Sequence, residues 1–243
     1  MKHQEIALET GEPSEEHQKF EYVIENMAPI GRASLLVGPS GSSKTTLALQ
    51  WIESWLNGEQ ILDKPVRRPL VHIETECSER ACHDKTHYAP GTVLYLAADR
   101  GKGDTEETLD RVLGPNNPLL TNPDSGFEWD SMLDSVLNIN HLYERIRPHH
   151  KVVFIEGVAS LIDGGRINDH GIVSNFLKRA SDAAGIHNVA MILSVHSPKM
   201  KLGEEYRDPR NRILGSVAWG HIPQRSLCLH RMLRIKSTIP TAR

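Results

Sequence analysis

Apolar residues run unbroken through VVFI in KVVFIEG (151–157) and through AMIL in NVAMILSVH (188–196). Runs of that length without polar alternation suit strands covered on both faces, as in parallel sheets. Further strands are read at SLLV (34–37), LVHIE (70–74), GTVLYLAAD (91–99) and around RSLCLHRML (225–233). Between them, residues 46–56 and GIVSNFLKRASDAAG (171–185) carry apolar positions at helical spacing, and TEETLDRVL reads as a helix behind the 91–99 strand. Strands alternating with helices predict an α/β fold, with a mostly parallel, doubly wound sheet and helices on both faces. Residues 20–27 are read as a short helix, GPNNPLLTNPDSG (114–126) as loop, and 131–147 as helical in part.

Composition narrows the class without naming a function. The 243 residues can form one sizeable α/β domain, and 39% hydrophobic with 24% charged residues is ordinary for a soluble globular protein. The expected organisation is a flexible arm over 1–20, one core domain over 21–235 and a tail over 236–243. A net charge of -3, from 28 basic and 31 acidic residues, excludes a uniformly basic nucleic-acid coat, so any nucleic-acid contact must be local. No apolar run approaches the ~20 residues of a membrane span, and the polar N-terminus lacks a signal-peptide core, so no membrane partner and a cytoplasmic location are expected. Three cysteines, an odd number, argue against a disulfide framework and fit a reducing compartment.

The chemistry concentrates in GPSGSSKTT, which spans Gly38, Pro39, Ser40, Gly41, Ser42, Ser43, Lys44, Thr45 and Thr46. The spacing matches the phosphate-loop pattern G-x-x-x-x-G-K-[ST], except that Ser43 stands where the second glycine is usual and Gly41 lies inside the loop. A small residue still lets backbone amides turn inward around a phosphate, and an apolar strand before the loop with an amphipathic helix after it supplies the required context. On this reading the amides of residues 40–45 cradle the phosphates of ATP. Lys44 reaches the β- and γ-phosphates, and Thr45 holds Mg²⁺.

Turnover of a nucleotide needs a carboxylate beside the metal and another that orients water. Glu156, at the end of VVFI, is the candidate for the metal side. For the attacking water the candidates are Glu76 in HIETEC, its neighbour Glu74, and Asp99 at the end of YLAAD. His196, at the tip of AMILSVH, is placed to touch a γ-phosphate. A zinc site from Cys77, Cys82, His83 and His87, with His72 upstream, is disfavoured, because zinc modules need two well-separated ligand pairs.

HIETECS, VVFIEGVASLIDGGRIND, SVHSPK and RILGSVAW, in this order behind GPSGSSKTT, resemble the RecA-like ATPases of plasmid and phage replication, the RepA-type helicase group. The resemblance covers residues 32–231. It implies a RecA-like P-loop NTPase fold, with Glu76 as catalytic base, Glu156 as the metal-side carboxylate and His196 as γ-phosphate sensor. It also implies a hexameric ring in which Arg225 of GHIPQRSLCL serves a neighbouring subunit's nucleotide. In such rings the loops after the two middle strands grip single-stranded DNA; here those are residues 163–171 and 197–212. The second reading of the same residues is a regulatory or assembly ATPase that acts on protein partners without moving on DNA.

Overall fold

The computed structural model describes residues 21–73, 87–131, 143–162, 166–197 and 225–228. Its centre is a six-stranded sheet whose strands lie side by side in the order Arg225–Cys228, Arg32–Pro39, Ala190–Ser197, His150–Glu156, Thr92–Ala97 and Phe127–Ser131. The strands are β3 (Arg32–Pro39), β6 (Thr92–Ala97), β7 (Phe127–Ser131), β8 (His150–Glu156), β9 (Ala190–Ser197) and β10 (Arg225–Cys228). Every pairing in this sheet is parallel. All the strands therefore end at one edge, where the loops that carry the chemistry collect. The helices are α1 (Lys44–Asn57), α2 (Lys102–Leu113), the single turn α3 (Pro118–Thr121) and α4 (His170–His187).

Alternation along the strands sorts side chains between two buried layers, as the twofold period of a strand requires. Ala33, Leu35 and Val37 of β3 join Val153, Ile155, Met191 and Leu193 beneath α4, against its Val173, Phe176, Leu177 and Ala180. Leu36 joins Tyr95, Phe154 and Ile192 on the opposite face, beneath Leu49, Ile52 and Trp55 of α1 and Leu109 of α2. The expected α/β/α layering is what the structure shows. Asp169 caps α4 by accepting from the Ile172 amide at 3.0 Å, and α1 stops at Gly58 in the left-handed conformation (φ 75°).

Three local expectations are corrected. Of the helix expected over 20–27, residues 21–27 are not helical; β1 (Tyr22–Ile24) pairs antiparallel with β2 (Ala28–Pro29) around a turn with Asn26 at φ 58°. An aromatic and two β-branched residues favour a strand, and an Ile24–Val66 bridge fixes it. The 70–74 strand does not enter the central sheet: β4 (Leu70–Ile73) pairs antiparallel with β5 (His87–Pro90) as a separate two-stranded unit. The 114–126 loop contains α3 and a 3-10 turn at Pro123–Ser125, started by Asn117 and Asn122, whose side chains accept from the Leu119 and Asp124 amides. β7 ends at Ser131, the first residue of the segment read as partly helical; residues 132–142 of that segment fall outside the described residues, and 143–145 are helical. Among the described residues no helix is long and apolar enough to cross a membrane.

Candidate nucleotide site

The loop between β3 and α1 has the shape that its sequence predicts. Gly41 takes φ 75° and Ser43 takes φ 60° and ψ 29°, both left-handed. Ser43 thus adopts, at the glycine position of the pattern, the conformation for which a glycine is usual there. A side chain in that region costs on the order of 1 kcal/mol, which the loop retains next to its phosphate-binding amides. Ser42 has its hydroxyl buried with no hydrogen-bond partner among the described residues. An anion in the loop would satisfy it, so the donors present fit a phosphate.

Lys44 opens α1 and is buried, 6% exposed. Its Nζ donates to the carbonyl oxygens of Gly38 at 2.8 Å and Pro39 at 2.9 Å, and lies 3.2 Å from Nδ1 of His196. Burial lowers the Lys44 pKa, against the pull of Glu156 and Asp99. β3 pairs with β9 in the register Gly38↔His196, and Lys44 folds back onto the Gly38 carbonyl, so the histidine and the lysine meet there. Burial and then the Lys44 charge lower the His196 pKa. A lysine ammonium can only donate, so Nδ1 accepts and Nε2 carries the ring proton. That proton is a donor suited to a phosphate oxygen.

Glu156 is the hub of the site, and its side chain is only 8% exposed. Oε1 accepts from the Thr45 hydroxyl and, at 2.9 Å, from Nη2 of Arg100. Oε2 accepts from the Tyr95 hydroxyl. Burial and then the Glu156 charge raise the Tyr95 pKa far above its ordinary value, so the phenol remains a donor. The Glu156 carboxylate reaches Thr45, and these two oxygens are the ones that would hold Mg²⁺. This donor set fits a hard divalent cation.

Asp99 lies beside this hub. β6 pairs with β8 in the register Ala97↔Glu156, and the Ala98 amide donates to the Glu156 carbonyl at 2.9 Å. Gly157 follows with φ 71°, and a Cβ there would come within 2.3 Å of the Asp99 Cγ. The close approach of the two strand ends needs a residue without a side chain. Arg100 continues the turn. Its carbonyl accepts from the Ser131 hydroxyl at 2.7 Å, and its Nη1 donates to Thr108 Oγ1 at 3.2 Å.

The structure therefore brings together the phosphate loop, Lys44, Thr45, Glu156 and His196. Glu76, Glu74, Cys77, Cys82, His83 and most of 197–212 lie outside the described residues. Arg225 opens β10 opposite Ser34 of β3, five residues before Pro39. At ~3.3 Å per residue its backbone stands roughly 17 Å from the loop edge of the sheet. Tyr95, Arg100 and Gly157 were not singled out from the sequence. The available signals were a phenol inside an otherwise apolar strand and an arginine directly after the strand-end Asp99.

A phosphate loop on the middle of a parallel sheet, with a carboxylate on the next strand but one and a polar tip between them, defines a P-loop nucleotide-binding ATPase domain. The sequence pattern of the family described as AAA domain matches residues 4–201. The chain belongs to that family, which carries nucleotide binding and ATPase activity as its general property. No curated protein matches the chain.

Proposed function

We propose that this chain is a DNA-dependent ATPase of the RepA-type replicative helicase group, with Asp99 orienting the attacking water. The observation that carries the reading is the placement of Asp99 and Glu156 at the ends of adjacent strands, beside Lys44, Thr45 and His196. Glu76, the base that the resemblance implies, follows a strand outside the central sheet. Asp99 ends the sheet strand next to Glu156, and this geometry favours it. Mg²⁺ bound by Thr45 and Glu156 would neutralise charge on the β- and γ-phosphate oxygens. Lys44 would bind the same oxygens, and His196 would donate Nε2–H to the γ-phosphate while β9 leads directly into the 197–212 segment.

That continuity supports a link from nucleotide state to single-stranded DNA held by 163–171 and 197–212. A hexameric ring with Arg225 offered to a neighbour completes the proposal. The test is ATPase rate against single-stranded DNA at several salt concentrations, for the parent, Asp99→Asn, Glu76→Gln and the paired change of Lys199 and Lys201 to Ala. Asp99→Asn should bind ATP yet turn over at least ~10²-fold more slowly, and the lysine pair should lose DNA stimulation and about one unit of salt slope per phosphate contact. A slow Glu76→Gln beside a normal Asp99→Asn would return the base to Glu76. No DNA stimulation at any salt would favour the regulatory or assembly ATPase.

A further inference from the structure

Arg100 stands where the proposed chemistry has no assigned role for a cation from the protein. Its Nη2 is 2.9 Å from Glu156 Oε1 and 3.4 Å from Thr45 Oγ1, the two oxygens fitted to hold the divalent ion. Its Nε is 3.9 Å from Asp99 Oδ1, and Nη1 is held by Thr108 Oγ1 on α2. One guanidinium thus spans both carboxylates and the metal-side hydroxyl while tethered to a helix behind them. We propose that Arg100 is a built-in counter-cation of the Thr45–Glu156 pair, which Mg²⁺ must displace in order to bind. This rests on the phosphate-loop reading given above.

Mg²⁺ requires oxygen ligands at 2.0–2.1 Å in near-octahedral geometry, so Thr45 Oγ1 and Glu156 Oε1 must turn their lone pairs to the ion. Nη2 now faces a lone pair of each, while Oε1 also accepts from the Thr45 hydroxyl. Two cations within a few ångströms of each other in a low-dielectric site repel strongly. The guanidinium therefore leaves as the ion enters, and its Thr108 contact, made while Nη2 sits on Glu156, helps to hold it in the position that the ion must clear. Two opposite consequences follow. Arg100 weakens apparent metal affinity, and without metal it offsets the Glu156 charge that would repel a nucleotide's phosphates.

The experiment uses the full chain, with ADP as nucleotide and Mn²⁺ as a paramagnetic stand-in for Mg²⁺. Mn²⁺ binding is followed by electron paramagnetic resonance at saturating ADP, and ADP binding in EDTA by calorimetry. Arg100→Ala should lower the Mn²⁺ midpoint about tenfold and weaken ADP binding in EDTA by a similar factor, the scale of a charge-assisted contact. Thr108→Val, which keeps the charge and removes the tether, should move both values in the same directions but less far. It carries the test alone if circular dichroism shows that Arg100→Ala does not fold. A Mn²⁺ midpoint that is unchanged or raised in folded Arg100→Ala, or in Thr108→Val if only that variant folds, overturns the proposal. Lys44→Ala separates the two readings, since it should lose ADP with and without Mn²⁺. A parent that binds no ADP under either condition overturns both.

Discussion

Two glutamates occupy opposite edges of the same sheet, each held by two or more polar partners, yet their surroundings are suited to opposite ends. Glu156, where β8 ends, is shared by a hydroxyl, a phenol and a guanidinium. Glu128, near the start of β7, accepts from His149 Nε2 at 2.7 Å and lies 3.2 Å from Nε2 of the fully buried His150. The three donor atoms of Glu128, His149 and His150 lie within 4.8 Å of one another, close enough for a metal. The tautomer argues against one. The Arg147 amide donates to His150 Nδ1 at 3.0 Å, so the ring proton sits on Nε2. Coordination through Nε2 would leave the ring with no proton, whereas a metal-bound histidine normally donates from its other nitrogen. The Glu128 cluster is a half-exposed clasp that reaches from β7 across β6 to the start of β8, with His150 Nε2 facing Glu128 but in no well-formed hydrogen bond. The Glu156 cluster is built for exchange, because Arg100 also reaches Thr108 and Asp99 and so is not committed to Glu156 alone. A buried charge whose partners can be exchanged marks a place where a ligand can enter.

The largest effect that separates the two clusters is expected at Gly157. Gly157→Ala places a methyl on Asp99 and forces a side chain into a left-handed conformation. ATP turnover should fall by ~10²-fold, the scale of a misplaced catalytic group, while the clasp remains intact. Steady-state kinetics checks this, and parent-like turnover would mean that the Asp99 position does not matter. His150→Ala should do the reverse. It should cost on the order of 2 kcal/mol of stability, from a cavity and an orphaned amide, with ADP affinity of the folded protein unchanged. Denaturant unfolding and calorimetry on one preparation check both halves.

A third effect belongs to pH. Burial first, opposed by Glu128, pushes the His150 pKa down from 6.5 to about 4. Burial also works against the Glu128 charge, but the hydrogen bond from His149 and the imidazole charges outweigh it, and its pKa is lowered. Both folded values lie below their unfolded ones, so the unfolded chain binds more protons as the solution is acidified. The stability that the clasp contributes is fully present above pH 6.5 and should fall as the pH drops toward about 4. His150→Ala should flatten this slope in denaturant midpoints measured across that window. The smallest effect is at Ser43. Ser43→Gly removes a side chain from the left-handed region and should stabilise the loop by up to ~1 kcal/mol, visible as a slight rise in melting temperature.

The sequence was most readable where local chemistry and chain order agree. The loop register, the helix after it, and the strands ending in Glu156 and His196 all lie where the pattern of apolar runs puts them, because a buried strand must be apolar throughout and its end is where polarity returns. Neighbour relations were not readable. Whether the 70–74 strand joins the central sheet is decided by which partner its backbone finds, and β5 stands outside that pattern. The rivalry between Glu76 and Asp99 therefore could not be decided from spacing, since each follows a strand after α1. Arg100 and Tyr95 were also hidden, for a related reason. Their roles depend on which side chain from another strand lies opposite, and no periodicity encodes that.

Gly157 has a consequence for how the site can move. Asp99 rests against the place where a methyl group would be, so the end of β8 acts as a mechanical stop for the turn that follows β6. A displacement of the Glu156 backbone of a few tenths of an ångström is passed to Asp99 without slack, because close-packed atoms transmit strain. The Ala98 amide, bonded to the Glu156 carbonyl at 2.9 Å, ties the same two strand ends together, so one small contact region places both carboxylates. A load that moves the end of β8 toward that turn would press on Asp99 while it carries Glu156, as a wedge moves whatever rests against it.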